Sequence, residues 1–269
     1  MMRTLMETIA NRHILFAVSG RGFKAQYRAM SLGFLWALLN PLIMVTVLST
    51  VLAAFLAPAN EFRPSLVVIG LVPFNMISYC FNGCVGSITG NASLVRRVIF
   101  PRQILPLAVI ATQLVHFAIQ STLIIGVLAI FGAPNGPWSI NLLWLPLIVL
   151  VHIGLVCGAG MLFAALHTRY RDVKYMVASL LTVLFWASPV LYDAHATFDK
   201  VEGGWRAIHY AYFLNPVAGV LDAYRQVLYW GHAPDLYVSL MAISVVLVLG
   251  FVGVKVFWRM EGEFAENCR

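Results

Sequence analysis

The chain has 269 residues, 61% of them hydrophobic and only 11% charged, with a mean hydropathy of +0.84. Soluble domains hold roughly 45–50% apolar and 25% charged residues, so the composition excludes a water-soluble globular protein and points to a single all-α integral membrane domain over residues 1–269. The formal net charge of +7 sits in loops between apolar runs, which reads as membrane topology and attraction to anionic lipid, not as nucleic-acid binding.

The first predicted element is an amphipathic interfacial helix over residues 3–30. Arg21, Lys24 and Arg28 share one helical face, and Phe23 and Tyr27 share a neighbouring one. A helix of this kind lies in the membrane interface. Its basic face can anchor to anionic lipid, at about 1 kcal/mol per basic residue. Alternatively, Lys24, Tyr27 and Arg28 can guide a phosphate-bearing lipid head group. No cleavable signal peptide is expected, because the first 30 residues carry five basic residues and only the short apolar run ILFAV.

Membrane helices need roughly 20 mostly apolar residues, and the uncharged intervals set their places. Arg28 to Glu61 and Arg63 to Arg96 each enclose 32 such residues. They predict spans over about 32–57 and 64–91. The 66 residues after Arg102 hold two spans, 104–132 and 141–167, divided at the turn-rich APNGPWSIN. Shorter intervals predict spans over 174–192 and 236–258, six in all. A seventh apolar piece, 207–221, is too short for a span and is broken by NP at 215–216, so residues 206–231 read as an external re-entrant hairpin before the last span. With six spans, 14 of the 18 lysines and arginines fall on the side of both termini, which makes that side the cytoplasm.

Between the second and third spans lies NASLVRRVIFPRQILP, residues 91–106, with three arginines and no acid. It predicts a short cytoplasmic helix over 93–101, ended by Pro101. Leu94, Arg96, Arg97, Phe100, Pro101 and Arg102 are either a docking knob for a partner or a basic loop that follows the positive-inside rule.

The apolar intervals contain no Asp, Glu, Lys or Arg, so the ion relay of a secondary transporter is absent from them. A GxxxxGK[ST] loop is also absent, so energy from ATP would have to come through another polypeptide. Gln113, His116 and Gln120 share one helix face, as glue between helices or as a polar conduit lining. Trp36, Phe74, Tyr79, Phe81, Phe185, Trp186 and Tyr192 supply aromatic faces that suit either membrane anchoring or sugar stacking. Cys80 and Cys84 read as small packing residues, and no disulfide or metal site is implied. Asp193, His195, Asp199, His209, Asp222 and His232 cluster in the external region. They raise the alternative of a membrane enzyme acting outside, though their spacing matches no ligand motif.

Segment 91–106, with Asn91, Arg96, Arg97, Phe100, Pro101, Arg102 and Pro106, resembles the coupling segment of ABC-2 type membrane subunits that export bacterial polysaccharides. LGFLWALLNPL (32–42), RYRDVKYMVASLLTVLFWASPVLYD (169–193), LNPVAGVLDAYRQVLYWG (214–231) and FWRMEGEFAE (257–266) are similar to further blocks of that family, in its order. The resemblance implies a homodimeric, non-enzymatic channel in the bacterial cytoplasmic (inner) membrane. It implies two ATP-binding cassette partners that carry ATP and Mg, with no cofactor in this chain. The implied cargo is a lipid-linked polysaccharide: O-antigen first, teichoic acid or capsule polymer as alternatives. Two departures stand out. Gln26 replaces the arginine of the family's Lys-x-Arg-Tyr pattern at Lys24–Tyr27, and the external segment 193–213 is rich in histidine.

Overall fold

The computed structural model describes residues 11–28, 32–55, 64–97, 100–133, 139–194 and 211–267. Residues 3–10 and 29–30 of the expected interfacial helix, residues 56–57 of the expected first span, residues 98–99 of the expected coupling helix and residues 206–210 of the expected hairpin lie outside this set. So do His195, Asp199 and His209, and the side chains of Tyr27 and Arg97.

The described residues form helices and turns, with no strand among them. They are α1 (Arg12–Tyr27), α2 (Trp36–Phe55), α3 (Pro64–Val85), α4 (Ala92–Arg97), α5 (Ile104–Phe131), α6 (Leu145–Arg169), α7 (Val173–Ala187), α8 (Pro216–Leu228), α9 (Leu236–Met260) and α10 (Phe264–Asn267). Four helices, α3, α5, α6 and α9, are long and apolar enough to cross a membrane. The apolar α2 and α7 are shorter by the same measure. At 15 residues, α7 rises only about 22 Å, less than the roughly 30 Å of a bilayer's hydrocarbon core.

Helix ends follow local chemistry. Gly132 adopts φ +72 and returns its N–H to the Leu128 carbonyl, which stops α5. Asn215 caps α8 by accepting from the Val217 N–H at 3.0 Å, and Pro216 takes the first helical position. The pair expected to break an apolar run therefore starts a helix. Asp235 caps α9 in the same way through Val238.

α3 is the hub. Most of its residues are buried, against α5, α6, α8 and α2. The most extensive contact in the fold is between α6 and α9. On α6, Gly154 and Gly158 stand four apart and face α9. A methyl added at Gly158 would lie 2.7 Å from the Gly250 nitrogen, and one added at Gly253 would strike the Gly158 carbonyl. Small residues let two backbones approach in lipid, where van der Waals contact replaces the hydrophobic drive.

This contact yields a direct test. Gly158→Leu or Gly253→Leu should force α6 and α9 apart and destabilise the chain by about 1–3 kcal/mol or more. Gly262→Leu, in open space, should be near neutral. Thermal unfolding in detergent reads the difference, and equal melting of all three variants would refute the close-approach role.

Candidate functional site

Four sequence-predicted conduit residues converge. Trp36 from α2, Tyr79 from α3 and His116 and Gln120 from α5 line one cavity of about 400 Å³, with Gln26, Ala37, Asn40 and Pro41. None of these residues is Asp, Glu, Lys or Arg, and His116 is the one imidazole among them. His116 and Gln120 are buried at their own positions, whereas Trp36, Asn40, Tyr79 and Gln26 are open to the cavity or surface.

One backbone defect organises the cavity wall. Pro41 sits inside α2 and has no N–H, so the Ala37 carbonyl, four residues earlier, loses its helical donor. Gln120 Nε2 donates to that carbonyl at 3.3 Å. A second bridge joins α2 to α3: Asn40 Nδ2 donates to Tyr79 Oη at 3.4 Å. α1 completes the wall, with Phe23 edge-on to His116 at 5.1 Å and Thr112 Oγ1 donating to the Ser19 carbonyl at 3.2 Å.

The other conduit candidates lie elsewhere. Phe74 and Phe81 are 5% and 3% exposed and pack edge-on against Phe185 and Phe163. Gln113 is half-buried, and its Oε1 has no hydrogen-bond partner among the described residues. Trp186 is exposed and edge-on to Phe185. Tyr192 Oη lies 3.0 Å from Tyr212 Oη. Lys24 and Arg28 are exposed at the end of α1.

The basic segment folds onto the C-terminal tail. Val95 of α4 is buried in a cluster with Ile88, Leu105, Met161, Phe257 and Phe264, and Leu94 and Phe100 pack half-buried on it. Arg96 is exposed, its Nε 3.4 Å from the Ala92 carbonyl. Pro101 is half-buried where the chain enters α5. Arg102 is tied down: its backbone N–H donates to Glu261 Oε1 at 3.3 Å, and its guanidinium donates to the Glu261 carbonyl.

At the opposite end, Arg225 is 1% exposed and was not anticipated as a site residue. Its Nη2 donates to the carbonyls of Val190, at 2.8 Å, and Leu66, at 3.4 Å. Burial pulls the guanidinium down to about 10 while Asp193 and Asp222 oppose the shift, so it stays cationic at neutral pH. Gly70 makes room for it, since a methyl there would strike the Val190 carbonyl. The described acids of the external cluster have structural partners. Asp193 accepts from Trp230 Nε1 at 2.9 Å, and Asp222 from Gln226 Nε2 at 2.6 Å. Among the described residues no three of His, Cys, Asp and Glu gather as a metal site would require.

A bundle of membrane-length helices around an uncharged polar and aromatic cavity defines a membrane permease. The sequence signature described as ABC-2 type transporter matches residues 14–229, and the chain belongs to that family. Its members work with ATP-binding subunits. The chain is 29% identical over 270 residues to the O-antigen export system permease protein RfbA of Myxococcus xanthus, covering 99% of this chain and 100% of that one. It is 24% identical over 255 residues to the protein of the same name from Klebsiella pneumoniae, covering 94% of each. It is 25% identical over 248 residues to the polysialic acid transport protein KpsM of Escherichia coli, covering 90% of this chain and 91% of that one.

Two tests follow from the geometry. Gln120→Leu orphans the Ala37 carbonyl and should cost about 1–3 kcal/mol. In a Pro41→Ala background a backbone N–H is restored, and the same change should cost far less. Equal losses in both backgrounds, measured as a double-mutant cycle by thermal unfolding, would exclude the compensation. Separately, Arg225→Met should destabilise the chain by about 3–5 kcal/mol, because it strips donors from two buried carbonyls and removes the cation whose field Asp193 and Asp222 feel. A melting temperature unchanged from wild type would remove Arg225 as a clamp.

Proposed function

We propose that this chain is the membrane-spanning permease subunit of an ATP-driven exporter that moves a lipid-linked bacterial polysaccharide, O-antigen first among the candidates, out of the cytoplasm. The observation that carries this reading is the end-to-end likeness to an O-antigen export permease, which covers 99% of this chain. The likeness to a polysialic acid transport protein keeps a capsule polymer as the alternative cargo, with teichoic acid, a polyol-phosphate polymer, as a further one.

In this reading the chain resides in the inner membrane as a homodimer with six spans, α2 and α7 joining the four long helices. Both termini face the cytoplasm, and α8 belongs to the external hairpin. ATP and Mg bind two separate ATP-binding cassette subunits, and hydrolysis occurs there. α4 and its flanks are the docking element. The exposure of Arg96 supports this, as does the anchoring of Val95 in a cluster shared with the tail. Lys24, Tyr27 and Arg28 guide the diphosphate of the lipid carrier to the channel entrance.

Deletion of the gene should abolish surface O-antigen and leave lipid-linked glycan inside the cell. Surface glycan that persists at wild-type level would overturn the permease reading. Arg96→Glu with Arg97→Glu should release the ATP-binding subunit on co-purification while the chain still inserts. Retained partner and normal export would reduce the segment to a topogenic basic loop. Reporter fusions after Ala59, Asn135 and Lys200 should read external and those after Arg97 and Arg171 cytoplasmic. A cytoplasmic signal at Asn135 would break the six-span topology.

A further inference from the structure

The cavity between α1, α2, α3 and α5 has a chemistry more specific than that of a passage for polymers in general. Its volume of about 400 Å³ lies in the range of ligand pockets, about 300–1,000 Å³. Its polar groups are of both kinds. Trp36 offers an indole N–H, which can only donate. Tyr79 accepts from Asn40 at 3.4 Å and keeps its own hydroxyl proton to give. Gln120 spends an amide N–H on the Ala37 carbonyl, which leaves its amide oxygen as an acceptor. Asn40 keeps its amide oxygen, and Gln26 brings a further donor and acceptor. A sugar hydroxyl both donates and accepts, so a mixed lining can satisfy it. A carboxylate or phosphate only accepts and carries charge that no lysine or arginine of this lining neutralises, His116 being its one imidazole, and burying such a charge unpaired costs several kcal/mol. The rings of Trp36 and Tyr79 add faces on which the C–H side of a pyranose can rest.

We propose that this cavity grips the neutral sugar units of the cargo, and that its lack of formal charge selects uncharged glycans over polyanionic ones. The proposal rests on the reading of the chain as a glycan-export permease and adds the class of glycan. It assigns an order along the substrate as well. Lys24 and Arg28, exposed on the helix that carries Gln26, take the phosphates, and the cavity takes the sugars that follow them. Gln26 thereby gains a role: a basic residue there would put a cation into the sugar site.

The test uses the full-length chain in phosphatidylcholine nanodiscs, which contribute no anionic lipid. Binding is read by saturation-transfer NMR with two probes of equal length, maltoheptaose and a heptamer of α2,8-linked sialic acid. Wild type should bind maltoheptaose at least about tenfold more tightly than the sialic acid heptamer. Tyr79→Ala should weaken maltoheptaose about tenfold through loss of a stacking face, whereas Tyr79→Phe, which keeps the ring, should lose less. Gln26→Arg should bring the sialic acid heptamer to within about threefold of maltoheptaose by supplying a counter-charge. That gain cannot arise from misfolding. The proposal falls if wild type binds both probes equally, prefers the anionic one or binds neither, or if Gln26→Arg leaves the preference unchanged. A gene deletion that leaves surface glycan intact removes the permease reading itself. A deletion phenotype fully restored by Tyr79→Ala, with wild-type binding, removes only the cavity assignment.

Discussion

Inside a bilayer no water is present to satisfy a backbone N–H or C=O, so every such group must find its partner within the protein. This constraint explains the polar residues of an otherwise apolar chain. Hydroxyls on the apolar helices return to their own backbone: Thr46 to the Leu42 carbonyl, Thr50 to Thr46, Ser121 to Phe117 and Ser244 to Leu240. Where the backbone itself is broken, a side chain from another part of the chain reaches in. Gln120 covers the carbonyl that Pro41 orphans in α2. Ser65 covers the Gly132 carbonyl past the end of α5, and Arg225 covers the non-helical stretch around Val190. Each repair also joins two elements, so satisfying the backbone and fixing the tertiary arrangement are one act.

The second determinant is close packing without hydrophobic drive. In lipid, a leucine gains little by leaving the acyl chains for another helix, so helices associate where they fit closely. The seam of α6 and α9 at Gly158, Gly250 and Gly253 and the crowding at Gly70 are such places. By contrast the large apolar residues of α2, α7 and α9, among them Ile43, Val47, Met176, Trp186, Val248 and Phe251, stay exposed on the single chain, where lipid or a second protomer can cover them.

Sequence and structure agree where charge decides the outcome and part where backbone detail does. Charge-free intervals located the long helices because a bilayer tolerates few ions, a constraint visible residue by residue. Helical spacing placed Gln113, His116 and Gln120 on one face, and α5 delivers His116 and Gln120, but not Gln113, to the same cavity. The spacing could not exclude Phe74 and Phe81, because an aromatic ring suits a packed core as well as a conduit. Asn215-Pro216 was legible as a cap with proline at the first helical position, yet it reads as a break when proline is weighed alone. The glycines at 154 and 158 formed a visible GxxxG pattern, but only the proximity of α9 gives it meaning. Arg225 had no local signal. Its partners lie 35 and 159 residues away in sequence, and pairing of that kind belongs to the fold.

The two ends of the bundle suggest how force could reach the cavity. Val95 of α4 shares one buried cluster with Ile88 after α3, Leu105 at the start of α5, Met161 in α6 and Phe257 in α9. Close-packed interiors transmit displacement rather than absorb it, so a push on the proposed docking helix moves the near ends of α3, α5, α6 and α9 together. The Arg102–Glu261 contacts tie the start of α5 to the tail and reinforce that unit. Among the described residues, none of α2 belongs to the cluster. Hydrogen bonds of 3.3 and 3.4 Å join it to Gln120 of α5 and Tyr79 of α3, both beyond the usual 2.9–3.0 Å for N–H···O bonds. These two bonds cross the seam that encloses the uncharged cavity. A stroke that shifted α3 and α5 against α2 would reshape that cavity. Pro41 leaves the Ala37 carbonyl without a helical donor, so release of Gln120 would orphan it.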